Sequence, residues 1–160
     1  IAGQAPGTRV HRSGRPFTDP SGTRLRRWLG VTEAEFYDPA AFAIVPMGHC
    51  FPGLDAKGGD LPPRRECAET WRARVFAALP DIELIIVLGH HALRWHLRDR
   101  HAAISEAVAD HARLLSAGTV PRVIVLPHPS WRNNAWLKAN PWFESDLLPP
   151  LRREVRRLLP

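Results

Sequence analysis

The chain has 160 residues, 44% of them apolar, which suits one domain with a sizeable core. It carries a formal net charge of +6, and every basic residue except Lys57 and Lys138 is an arginine. No apolar run is long enough to span a bilayer, no signal peptide is visible, and Cys50 and Cys67 are too few for a disulfide framework or a four-thiolate metal site, so a cytoplasmic protein without a membrane partner is expected.

Guanidinium forks pair phosphates bidentately and stack on bases, so the arginine excess points to a polyanionic partner. A coding bias that replaces Lys by Arg accounts for it equally well.

In chain order, Ile1-Ala2 reads as the end of a first strand. Since a whole strand is expected ahead of the loop that follows, further residues are expected upstream. Residues 3 to 20, with three glycines and three prolines, read as loop. Ser21 is placed to cap a helix to Leu29, with Gly30 as its stop and Asp19 as a second candidate cap. Residues 42 to 47 read as a second strand, fraying at Pro46 because proline donates no ladder hydrogen bond. A Gly/Pro-rich loop spans 48 to 62. A helix is predicted from Pro63 to Leu79, with the proline in its first turn. Ile82 to Leu88 is an almost continuous apolar run, the pattern of a central parallel strand. Helical patterns follow over His90–Leu97 and His101–Leu115, then a buried strand over Arg122–Leu126. A C-terminal amphipathic helix from Trp142 to Leu159 is interrupted at Pro149-Pro150. Strands alternating with helices predict a single α/β domain over 1–160: a doubly wound parallel sheet of about four strands with helices on both faces, its first strand truncated.

Two motifs follow predicted strands and fall at one sheet edge, where open α/β folds bind ligands. The first is Gly3-Gln4-Ala5-Pro6-Gly7 with Gly14-Arg15-Pro16-Phe17-Thr18; its glycines permit close approach of backbone to a ligand. The second is His128-Pro129-Ser130-Trp131-Arg132-Asn133-Asn134. Gly89-His90-His91, with His96 and His101, invites a metal reading, but the spacing is no zinc pattern and neighbouring helix positions face apart; no metal site is expected there.

The paired motifs resemble those of the uracil-DNA glycosylase superfamily over nearly the whole chain, and the wording is closest to the bacterial and archaeal families 4 and 5. The resemblance implies an enzyme that flips uracil out of DNA and hydrolyses its N-glycosidic bond. It implies a substrate pocket of Gly3, Ala5, Pro6, Gly7, Phe17, Pro46, Met47, Gly48, His49 and Asn133. Phe17 matches the residue that stacks on the base, and His128 the one that hydrogen-bonds O2 of uracil. The loop after His128 would enter the minor groove, with Trp131 or Arg132 as the wedge, and Ser130 and Asn134 on flanking phosphates; Asn133-Asn134 also suit a helix cap.

Three departures qualify the resemblance. Ala5 stands where the family's water-orienting aspartate is expected, and Gln4 where family 4 has glutamate, which leaves Gln4 as the candidate to orient water. Pro46 stands where an asparagine reads the uracil edge, so backbone groups of 46–48 or Asn133 are the candidate readers. His49 is a further candidate at the pocket mouth, by similarity to a branch in which a loop histidine reacts with the sugar. Cys50 and Cys67 match two ligands of a [4Fe-4S] cluster whose other two lie upstream of the first motif; the simpler reading makes both cysteines core residues, no cofactor is expected of this chain, and the alternative is a cluster completed from a longer N-terminus. The expectation is a monofunctional uracil-DNA glycosylase acting as a monomer on uracil-containing DNA, with other deaminated bases as its wider range. The alternative is a module that holds uracil-containing or abasic DNA with little or no turnover.

Overall fold

Two runs of β-branched and leucine residues form the regular sheet in the computed structural model, which describes residues 1–97 and 103–160. Strand β1, Leu84–Leu88, pairs in parallel with β2, Arg122–Leu126, from Leu84 opposite Arg122 to Leu88 opposite Leu126. Both are buried toward their carboxyl ends, as expected for strands covered on two faces.

Among the described residues, the expected four-stranded sheet is replaced by these two strands and a ladder too irregular to extend it. Ala2 makes an isolated parallel bridge to Val87: its N–H donates to Ile86 O at 2.8 Å and its carbonyl accepts from Leu88 N at 2.8 Å. On the far side, Val45, Met47 and Gly48 donate to Ile1, Gln4's neighbour Gly3, and Gln4. Pro46 has no N–H to give, and the segment 42–47 runs alongside the first residues without becoming a strand.

That segment is held instead by a buried cation. Arg72, 2% exposed, donates through Nη1 to the carbonyls of Val45 (3.1 Å) and Pro46 (3.3 Å) and through Nη2 to Nε2 of His96 (2.6 Å). Burial lowers the Arg72 pKa to about 10. Burial, then the Arg72 charge, pushes His96 down to about 4, so the imidazole is neutral and accepts.

The described helices are α1 (Thr8–Ser13), α2 (Pro20–Leu29), α3 (Glu33–Phe36), α4 (Arg65–Ala77), α5 (His90–His96), α6 (Ile104–Ala109), α7 (His111–Leu115), α8 (Asn134–Ala139) and α9 (Leu148–Leu158). Several differ from expectation. The loop 3–20 contains α1, closed by Gly14 at φ 68°. The cap of α2 is Asp19, which accepts from Gly22 N, and Ser21 lies inside the helix. The helix expected over His101–Leu115 divides at Asp110 into α6 and α7, and its first residue, His101, lies outside the described residues. Pro149-Pro150 do not interrupt the last helix. They occupy the first turn of α9, where an N–H has no partner to lose, after a π-helical turn over Phe143–Leu147.

The core gathers around β1 and β2, with Trp28 against Phe143 at 4.9 Å between ring centroids. Helix α9 seals the end of α2: Arg152 donates to the carbonyls of Trp28 and Arg27, and Arg156 to that of Gly30.

Candidate functional site

The first motif emerges from the ladder at the carboxyl end of β1, and each of its residues meets a different part of the site. Four close approaches define it. A side-chain carbon on Gly3 would stand 3.8 Å from the tip of the Phe17 ring. The amide of Gln4 lies over Gly89, which holds φ 82° immediately after β1. Ala5 packs on Gly48 from the 42–48 segment, with Pro63 on the other side. Gly7 faces the carboxylate of Asp60, whose Oδ2 is 3.0 Å from where a carbon on Gly7 would be. Small residues here let three separate loops converge on one backbone.

Phe17 sits in the left-handed region at φ 58°, the one described non-glycine residue that does. Such backbone costs of order 1–3 kcal/mol and persists only where the surroundings impose it. Three contacts impose it. The hydroxyl of Tyr37 donates to Pro16 O at 2.6 Å, Arg26 Nη1 donates to Phe17 O at 3.2 Å, and Gly22 of α2 leaves room for that same carbonyl. The half-buried ring meets Phe36 edge-on at 5.9 Å.

His128 follows β2 through Pro127. Its Nδ1 accepts from the Ser130 N–H at 3.3 Å, which leaves the proton of the neutral ring on Nε2. Burial, opposed by the charges of Asp19 and Asp60 and aided by that of Arg132, lowers the pKa below the ordinary imidazole value. The ring is therefore a neutral N–H donor near pH 7 rather than a cation. Its loop is fastened twice: Asn133 Nδ2 donates to His128 O at 2.7 Å, and Arg24 Nη1 from α2 donates to Ser130 O at 3.0 Å. Helix α2 thus grips both motifs, Phe17 through Gly22 and Arg26, and the His128 loop through Arg24.

Beyond that grip the loop projects outward. Trp131 is 72% exposed, with the Arg132 guanidinium over its ring at 5.7 Å. Trp131–Asn133 form a single 3-10 turn into α8, and Asn134 is exposed at the start of that helix. Arg9 and Arg12 of α1 are also exposed, and like Arg132 they enter none of the ion pairs found among the described residues. The cationic surface next to the first motif is therefore not neutralised by the protein itself.

Other candidates have different surroundings from those expected. Met47 is a core residue, and the N–H groups of Met47 and Gly48 already donate to Gly3 and Gln4. The Pro46 carbonyl accepts from Arg72. The two N–H groups are thus taken by the ladder, which leaves carbonyl oxygens as the backbone groups that this segment can offer to a base edge. Asn133 gives one amide N–H to His128 O and keeps its second N–H and its Oδ1. His49 is exposed beyond Gly48. Pro6 is half-buried between the close approaches of Ala5 and Gly7. The cysteines are not core residues: Cys50 is exposed, and Cys67, on the first turn of α4, is half-buried because that helix turns Ala68 and Arg72 inward. His90 and His91 open α5 with rings 6.1 Å apart and edge-on, while His96 is taken by Arg72. A cavity of about 410 Å³ lies at the opposite edge of the sheet, between Ile1, Phe42, Phe76, Ile82 and Leu159, away from both motifs.

Sequence reading missed Asp60, Arg24 and Gly22, none of which belongs to a periodic pattern or to either motif. The nearest signal was Gly58-Gly59 before Asp60, which marks a tight turn without saying what it delivers.

The model of one protein family, the uracil DNA glycosylase superfamily, matches residues 1–152.

Proposed function

This chain belongs to the uracil DNA glycosylase superfamily, and from that premise we propose that it excises uracil from DNA and leaves an abasic site. Membership itself supports a glycosylase-type function in DNA repair and action on DNA. The finer reading rests on one observation above all: a half-buried, neutral His128 whose Nδ1 is occupied by Ser130, so that Nε2–H is the group offered.

An N-glycosidic bond breaks with the electron pair leaving on the base and positive character developing on the sugar. A donor fixed before the reaction where that negative charge appears lowers the barrier without reorganisation. A neutral imidazole suits this task, because it donates without having to protonate the leaving base. The base must first leave the stack. Phe17, locked at positive φ beside Gly3, offers a face on which any base stacks. Trp131 and Arg132 are the wedge that occupies the gap, and Arg9, Arg12 and Arg132 meet phosphates. Gln4, over Gly89, is placed to contact base or water. The reading places the chain nearest the family 4 and 5 branches, working as a monomer in the cytoplasm, with wider base tolerance because Pro46 stands where relatives have an asparagine. The hydrolysis it proposes needs no cofactor, since donor, stacking ring and water suffice for the bond cleavage. No Schiff base is part of this reading, since neither Lys57 nor Lys138 belongs to either motif.

Release of base from a uracil-containing oligonucleotide, followed by alkaline cleavage of the abasic site, tests the proposal; an intact strand at high enzyme concentration refutes it. Ala5, which leaves the first motif without a carboxylate, favours a second reading as a module that binds without turnover. That reading expects a retarded complex and no abasic product.

A further inference from the structure

We propose that Asp60 is the catalytic carboxylate of this site: it accepts the proton of the water that attacks the sugar, in place of the acid that Ala5 cannot provide. The inference rests on the glycosylase reading. Its geometric basis is the small hairpin over residues 53–61. Leu54 and Asp60 form an antiparallel bridge, Leu61 N donates to Gly53 O at 3.0 Å, and Asp55 N donates to Gly59 O at 2.8 Å. The turn is tied by Asp55, whose Oδ1 accepts from Lys57 N (2.8 Å) and Gly59 N (2.9 Å). This ordered hairpin carries Asp60 onto the first motif, with Oδ2 against Gly7.

Two carboxylates have charges that reach the His128 ring, Asp19 and Asp60, and their circumstances differ. Asp19 is engaged: its side chain accepts from Gly22 N and from the Ser21 hydroxyl and caps α2. Asp60 makes no side-chain hydrogen bond or ion pair among the described residues. It does not cap α1 either, since no N–H of that helix's first turn donates to it. An exposed carboxylate, held by a tied hairpin against the motif backbone, within electrostatic reach of the leaving-group donor and without a structural partner, is available to a water molecule. Gly7 is the residue that lets it approach: a side chain there would meet Oδ2 at 3.0 Å.

The step balances as a hydrolysis. The C1′–N1 bond breaks and its electron pair leaves with uracil, stabilised by the Nε2–H of His128. The water oxygen bonds to C1′, and one water proton passes to the Asp60 carboxylate. Asp60 returns the proton to solvent, the uracil anion takes one up, and the sugar is left with a hydroxyl at C1′. Before the attack, the negative carboxylate also faces the positive character developing on the sugar.

Single-turnover excision by the full chain, with enzyme in excess over a uracil-containing duplex, decides the matter for wild type, Asp60→Asn, Asp60→Glu and Asp19→Asn. Asp60→Asn is expected to slow the chemical step by about 100-fold or more, in the range of a positioned general base, with the duplex dissociation constant unchanged or tighter. Asp60→Glu keeps the carboxylate and should recover part of the rate. Asp19→Asn keeps a good cap and should slow the chemical step far less than Asp60→Asn. Because Asp60 is exposed, its substitutions leave the core unaltered. The proposal is overturned if Asp60→Asn retains its rate, if it loses only affinity, or if Asp19→Asn is the variant that fails. Wild type that binds the duplex and releases no base removes the glycosylase reading and the role of Asp60 together, an outcome distinct from an active wild type with an equally active Asp60→Asn.

Discussion

The carbonyl oxygen of Phe17 occupies the space that a side chain on Gly22 would need, 1.7 Å from where its first carbon would stand. In the first turn of α2, Gly22 is therefore the condition for Phe17 to hold φ 58° with its ring beside Gly3. Gly22→Ala is expected to lower stability by about 3 kcal/mol, the upper range for forcing atoms into a packed site. Gly14→Ala, with open space around it and only its φ of 68° at stake, should cost about 1 kcal/mol. Urea denaturation of the two variants checks the order; equal losses would mean that α2 can slide away from Phe17 without cost.

His128→Ala should reduce the single-turnover rate of uracil release by roughly 100- to 1,000-fold, the usual effect of deleting one preorganised donor. Duplex affinity should change little, because the exposed Trp131 and the arginines carry the contact. Equal rates in wild type and variant would remove His128 from the mechanism.

Acid should destabilise the fold earlier than its carboxylates alone require. The ordinary imidazole pKa is 6.5, and His96 in the fold is held at about 4 by burial and by Arg72. Between those values the unfolded chain binds a proton that the folded chain refuses. Stability is then complete above about pH 6.5 and falls as the pH drops toward 4, by up to about 3 kcal/mol. His128 and His91 are also lowered by burial and act in the same direction. His96→Gln keeps an acceptor for Arg72 without titrating. Urea midpoints between pH 7 and 4 should fall less steeply for this variant; parallel curves would show that His96 is not the responsible group.

Binding to duplex DNA should weaken steeply with salt, since each phosphate neutralised contributes a slope of about −0.9 in log affinity against log salt. Arg132→Ala is expected to weaken uracil-containing and undamaged duplex alike and to flatten that slope by about one. Trp131→Ala should weaken uracil-containing duplex more, since only a flipped base leaves a gap to fill. Titrations at two salt concentrations distinguish the two roles, and unchanged affinity in both variants would place DNA recognition elsewhere on the surface.

The sequence by itself determined the two buried strands, because a run such as Val123-Ile124-Val125-Leu126 has no stable place but a covered sheet. It determined where α2 stops, because a glycine at position 30 accepts φ 68° without cost. It also placed Phe17 and His128 in motifs that carry the family resemblance. Only the tertiary structure decided that segment 42–47 would be held by Arg72 rather than completed as a strand, that α1 would form inside a Gly-rich stretch, and that Asp60 would come to rest against Gly7. The reason is physical. Periodicity and turn chemistry are written within a few residues of where they act. The Arg72–His96 bond, the Phe17–Gly22 fit and the Gly7–Asp60 approach exist only after the chain has closed its loops, and no local preference of either partner anticipates them.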